Sequence, residues 1–289
     1  MDTSPLAALP LYQQINLALV AVSGLVVLIA CLLGAKKRRL SLADFTASET
    51  LVFPLPIDYL YTVVIISLIT LLNISSVFIT DTADTDGAAS SWADPIIFFA
   101  LHIPIFIRLF QTRKAFDKPH TPIMAILGYL ILAYGATFLS NALVHMTPLL
   151  SWFTDACGSP EMQESLDVFS NVHWGDLLPH IVLACLVAPI VEECLFRGML
   201  YPCLKKFVTP CMAAILCGIL FGAIHMALPQ FVALSVLGAL LCFIYERSRR
   251  LWIPIFIHAV FNSVNVILAI HFKDIEAYLK SLEQTAQNL

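Results

Sequence analysis

The segment Ala188-Pro189-Ile190-Val191-Glu192-Glu193-Cys194-Leu195-Phe196-Arg197 constrains this chain more than any other. It lies inside an apolar stretch, 177–200, that is long enough to cross a bilayer. A charge at membrane depth costs at least roughly 2.5–3.5 kcal/mol on insertion scales, so a segment carrying three of them needs a use or a partner for each. Helix geometry separates the three. Glu193 and Arg197 are four apart, share a face and can pair. Glu192 is turned about 100° from Glu193 and points elsewhere. Pro189 has no N–H and its ring crowds the carbonyl of Cys185, which predicts a distortion one turn before the glutamates. These residues alone fit either a structural network inside a bundle or a buried reactive site.

The rest of the chain suits such a setting. Charged residues make up 12% and hydrophobic ones 59% of 289 residues, against about 25% charged in soluble domains. The fold class expected is all-α, a polytopic transmembrane helix bundle in a single membrane domain. The net charge of −4 and the lack of a basic face exclude nucleic acid as a partner. The eight cysteines contain no CxxC pair. Five of them, Cys31, Cys185, Cys194, Cys217 and Cys242, fall in apolar runs, so neither a disulfide framework nor a thiolate zinc site is indicated.

Eight runs are long enough to span: 15–35, 58–80, 93–111, 121–145, 177–200, 210–227, 230–247 and 251–271. The first lacks a basic residue ahead of it and reads as a retained span, not a cleaved signal. Leu228-Pro229 alone splits the sixth from the seventh, so a re-entrant pair is the alternative to two crossings. Positive charge marks the cytoplasmic side. If every run crosses, Lys36, Lys37, Arg38, Arg39, Arg108, Arg113, Lys114, Lys118, Arg197, Lys205, Lys206, Arg247, Arg249 and Arg250 share that side. That is fourteen of the sixteen basic residues. Both termini then lie on the non-cytoplasmic side. The organisation expected is four N-terminal spans in 1–145, an outside loop at 146–175, a catalytic core of four spans in 176–272 and a polar tail at 273–289.

Two further polar pairs stand at helical spacing within spans: Phe221 with His225, and His258 with Asn262. Counted from the cytoplasmic ends at 1.5 Å per residue, Glu192 lies roughly 12–18 Å deep and His258 with Asn262 roughly 10–18 Å, while His225 comes out at roughly 20 Å. The three helices can therefore bring a carboxylate, two imidazoles and a carboxamide to one cavity. Such a set can hydrolyse an amide: Glu192 takes a proton from water, His225 orients that water, and His258 and Asn262 donate to the oxyanion. The same Glu192, His225 and His258 can instead ligate Zn²⁺ with one position open. Ala214, Gly218 and Gly222, at steps of four, allow a neighbouring helix to approach closely and so set where His225 stands.

Glu192-Glu193-x-x-x-Arg197, Phe221-x-x-x-His225 and His258-x-x-x-Asn262, in that order and in transmembrane runs, resemble the CPBP membrane proteases. This family holds the type II CAAX prenyl endopeptidases and bacterial relatives, some linked to bacteriocin self-immunity. The resemblance covers about 174–272, and the first four spans carry no motif of it. It implies a helical membrane fold with a cavity open towards the cytoplasm, and hydrolysis of a peptide bond in a membrane-anchored peptide or protein, lipidated or not. It implies Glu192 and His225 as water activators, His258 and Asn262 as oxyanion donors, and Glu193, Arg197 and Phe221 in support. That mechanism requires no cofactor; Zn²⁺ on Glu192, His225 and His258 is the metal version. The partners implied are that substrate and membrane lipid. The location implied is a bacterial-type inner membrane, or the endoplasmic reticulum in a eukaryote. The alternative function is a non-catalytic binding, scaffold or immunity protein of the same family. A transporter built from two related halves is disfavoured, because the first four spans hold no counterpart of the Glu192 segment.

Overall fold

A computed structural model describes residues 11–38, 121–148 and 174–271, and among them every regular element is helical. The elements are α1 (Leu11–Arg38), α2 (Ile123–His145), α3 (Trp174–Val182), α4 (Ala188–Leu195), α5 (Tyr201–Phe207), α6 (Pro210–Ile224), α7 (Phe231–Ser248) and α8 (Trp252–Ile270). Segments α3, α4 and α5 are pieces of one long helix joined by two π turns, Leu183–Val187 and Phe196–Leu200.

The π turns follow from proline. Pro189 stands two residues beyond the first and Pro202 two residues beyond the second. A proline ring collides with the carbonyl four residues back and offers that carbonyl no proton. Widening the preceding turn relieves the collision, and π turns of this kind concentrate at functional sites. The backbone shows the wider register: the N–H of Ala188 donates to Leu183 and that of Tyr201 to Phe196, each five residues back. The predicted distortion before the glutamates is thus a π turn, and a second one, at Arg197, follows them.

Among the described residues, five helices are long and apolar enough to cross a membrane: Gln13–Gly34, Ile123–His145, Leu177–Phe207, Leu228–Ser248 and Trp252–Ile270. Side chains such as Ile123, Met124, Ile131 and Phe138 on α2 stand largely exposed, as a lipid-facing surface requires. The chain is an integral, multi-pass membrane protein. The predicted spans 58–80 and 93–111, most of the loop 146–175 and the tail 273–289 lie outside the described residues. Predicted span 210–227 becomes α6, which has 15 residues. That is about 22 Å of helix, short of the roughly 30 Å hydrocarbon core. Thr209 starts it, its hydroxyl accepting the N–H of Met212, and it ends at His225.

Helices α6 and α7 form the tightest pair. A Cβ on Gly218 would come within 2.7 Å of the Ala239 nitrogen, and one on Gly222 within 2.7 Å of the Phe231 carbonyl oxygen. The two backbones touch there, so only glycine fits. The stripe predicted to admit a neighbour admits α7. Around this pair, α1 packs on α5 and α6, α2 packs on α7, and α8 packs on α4 and the first π turn. The buried core between α4, α5, α6 and α7 includes Leu195, Phe196, Tyr201, Leu204, Cys217 and Phe221.

Several basic residues lie at one end of the bundle. Gly34 of α1 lies against Phe207 of α5, so the C-terminal ends of these two helices meet. Glu246 of α7 receives both Lys205, at 2.7 Å, and Arg249. If this end is cytoplasmic, a reporter fused after Arg250 reads as cytoplasmic and one inserted at Gly158 as external. A cytoplasmic reading at Gly158 would remove the eight-span arrangement.

Candidate active site

The long helix presents its two glutamates to different partners, as their 100° offset dictates. Glu193 and Arg197 are fully buried and pair, Arg197 Nη1 donating to Glu193 Oε1 at 2.8 Å. Arg197 Nη2 donates to the Gly238 carbonyl of α7 at 2.7 Å. The guanidinium also lies over the Phe221 ring, 5.0 Å from its centroid. A buried charge is tolerable when it is neutralised and hydrogen-bonded; Glu193 neutralises Arg197 and both terminal nitrogens donate, while Nε has no hydrogen-bond partner. Gly238 escaped the sequence reading, because a backbone acceptor leaves no side-chain signature.

Glu193 has a second partner that its spacing from Arg197 does not reveal: His258 Nδ1, 2.9 Å from the same Oε1. An ionised, arginine-paired carboxylate only accepts, so Nδ1 carries the proton and donates. His225 is fixed in the same sense. Its Nδ1 is 2.7 Å from the Phe221 carbonyl oxygen, which likewise only accepts, so Nδ1–H donates. Phe221 therefore serves both sides of the site, its ring 4.7 Å from that of His225 and 5.6 Å from that of His258.

With both Nδ1 atoms engaged, the two Nε2 atoms face Glu192. Glu192 Oε2 is 3.9 Å from His225 Nε2 and 4.0 Å from His258 Nε2. That oxygen is buried and has no hydrogen-bond partner in the protein. Glu192 and His225 keep 17% and 18% of their side-chain surface, so the group is reachable from outside, whereas His258 keeps 2%. The depth offset calculated for His225 closes because α6 stops at this residue, leaving its ring at a helix end level with Glu192.

Asn262, one turn beyond His258 on α8, donates from Nδ2 to the Ala184 carbonyl at 2.8 Å. Ala184 lies in the first π turn, where a carbonyl looks to the N–H five residues ahead. For Ala184 that residue is Pro189, which has none. Asn262 supplies the missing donor, and so ties α8 to the turn that aims the glutamates. The structure thus gathers Glu192, Glu193, Arg197, Phe221, His225 and His258 into one connected group. It places Asn262 at its edge with one N–H committed to the backbone.

The donor types at Glu192 Oε2, His225 Nε2 and His258 Nε2 suit zinc. However, bonds of about 2.0–2.1 Å hold tetrahedral donors roughly 3.4 Å apart, and the measured separations of 3.9 and 4.0 Å are wider. Among the described residues no set of three His, Cys, Asp or Glu side chains closes to metal-binding geometry.

Comparison with known proteins bears on this group. Residues 174–264 match the family model described as "Type II CAAX prenyl endopeptidase Rce1-like". That range contains every residue of the group just described. Over 88 residues the chain is 31% identical to the "Putative membrane peptidase YdiL" of Bacillus subtilis (strain 168), a stretch covering 30% of this chain and 36% of that relative. The match thus spans about a third of the relative's length. No solved structure matches the chain. The similarity to type II CAAX prenyl endopeptidases thus lies over residues 174–264.

Proposed function

We propose that the chain is an intramembrane endopeptidase that hydrolyses a peptide bond in a membrane-anchored peptide or protein by means of a glutamate-activated water. The observation that carries this reading is Glu192 Oε2, an unpartnered carboxylate oxygen 3.9 and 4.0 Å from two imidazole nitrogens. A water between them would give one hydrogen to Glu192 and the other to His225 Nε2, which in its neutral form can only accept. Glu192 takes a proton as the water oxygen bonds to the scissile carbonyl carbon. The resulting oxyanion receives hydrogen bonds from the second N–H of Asn262 and from His258. With Nδ1–H committed to Glu193, a donation from His258 Nε2 requires both ring nitrogens to carry protons. Protonated Glu192 then returns its proton to the amide nitrogen, the C–N bond breaks, and a carboxylic acid and an amine are released.

The test uses purified protein and a quenched fluorescent peptide ending in a CAAX sequence, in farnesylated and unmodified forms. Cleavage of either at a defined bond supports the reading. Cleavage of neither, together with none of a membrane-anchored peptide set, overturns it. A chelator separates the two versions of the chemistry. Activity that persists in 1,10-phenanthroline is expected here; activity lost to chelator and restored by zinc would replace the glutamate mechanism with a metal one.

A further inference from the structure

The matched family segment begins at residue 174, yet a residue of α1 reaches the backbone next to His225. Asn16 is 3% exposed, and its Nδ2 donates to the Met226 carbonyl at 2.5 Å across 210 positions of sequence. Met226 follows His225 directly and has φ 50°. That is the left-handed region, which glycine occupies freely and which a methionine holds only when its surroundings compel it. The turn has a local consequence. It stops α6 at His225, and the His225 ring then caps the helix through the Phe221 carbonyl. The orientation of Nε2 towards Glu192 thus depends on a strained peptide whose carbonyl is held by Asn16.

We propose that Asn16 is a positioning residue for His225: by fixing the left-handed turn at Met226 it holds the His225 ring against Glu192. The inference rests on the protease reading for its kinetic consequence, but its structural consequence stands apart. A buried asparagine in a transmembrane helix can take any nearby carbonyl simply to satisfy itself. The difference here is that the carbonyl it takes belongs to the residue whose conformation ends α6 at His225, the residue that would orient the water.

Three variants test this: Asn16→Leu, Met226→Gly and the double change. Glycine adopts the left-handed turn without a clamp, so Met226→Gly is expected to make Asn16 dispensable. Asn16→Leu should lower kcat on the quenched peptide on the order of 10²-fold, the scale of a small misplacement at a reacting centre, with KM unchanged. The double variant should recover most of it. Independently of activity, carbethoxylation of His225 by diethylpyrocarbonate, followed by peptide mass spectrometry with His271 as internal reference, should speed up in Asn16→Leu and return towards wild type in the double variant. An unchanged His225 modification rate in Asn16→Leu overturns the proposal, as does a loss that Met226→Gly fails to rescue. If Asn16→Leu does not accumulate in membranes, the double variant decides: its accumulation with near-wild-type modification supports the proposal, and its failure to accumulate overturns it. A wild-type protein that cleaves no peptide removes the protease reading, and the modification rates still decide the case of Asn16.

Discussion

Glu192→Gln is expected to lower peptide cleavage about 10²–10⁴-fold while membrane insertion and accumulation stay intact. Glutamine keeps the shape and the hydrogen-bonding capacity of the side chain but cannot take a proton from water. Insertion should survive because a neutral group replaces a charged one at membrane depth. His225→Ala should cost a comparable factor, since the same water loses its second acceptor, the Nε2 that lies 3.9 Å from Glu192 Oε2. His258→Ala removes an oxyanion donor, for which about 10²–10³-fold is usual. Losses from groups that act as one unit do not add, so the Glu192→Gln/His225→Ala double variant should be little worse than either single one. Asn262→Ala differs in kind. It also strips the Ala184 carbonyl of its donor, so some loss of accumulation should accompany its loss of activity. A scaffold or immunity protein that keeps this group only for assembly predicts the opposite for Glu192. Wild-type biological activity in a folded Glu192→Gln protein would falsify the enzymatic reading.

The second large effect lies in the buried ion pair. Arg197→Met leaves Glu193 as an uncompensated charge with no exposed surface, at a cost of roughly 3–5 kcal/mol. Accumulation of the folded protein in the membrane should fall sharply. Adding Glu193→Gln removes that charge, and the double variant should accumulate better than Arg197→Met alone. Glutamine can still accept from His258 Nδ1, which in the parent donates to Glu193 Oε1 at 2.9 Å, so the ring keeps its tautomer. The measurement is membrane-fraction abundance with a thermal unfolding midpoint in detergent. Equal loss in the single and double variants would mean that the pair contributes nothing as a pair.

How far the sequence reaches can be judged residue by residue. Spacing alone put Glu193 with Arg197 and turned Glu192 away from them, because a helix is a short-range object with a fixed 3.6-residue period. It put Phe221 with His225 and His258 with Asn262 for the same reason. Pro189 announced a distortion before the glutamates, since the missing N–H and the ring clash are properties of that residue itself. Pro202 carries the same signal for the second π turn, at the same offset, and was there to be read. Composition settled membrane residence, because hydrocarbon accepts so few charges. What the sequence left open was decided by neighbours distant along the chain. Nothing at position 193 says that His258, 65 residues on, shares its carboxylate oxygen with Arg197. The Gly238 and Ala184 carbonyls take part as backbone, and backbone is the same at every position. Periodicity extended span 210–227 too far, since Met226 is an apolar residue like any other until its φ of 50° ends the helix. And α1 carried no recognisable motif because the contact it makes, Asn16 to the Met226 carbonyl, exists only once the helices are packed.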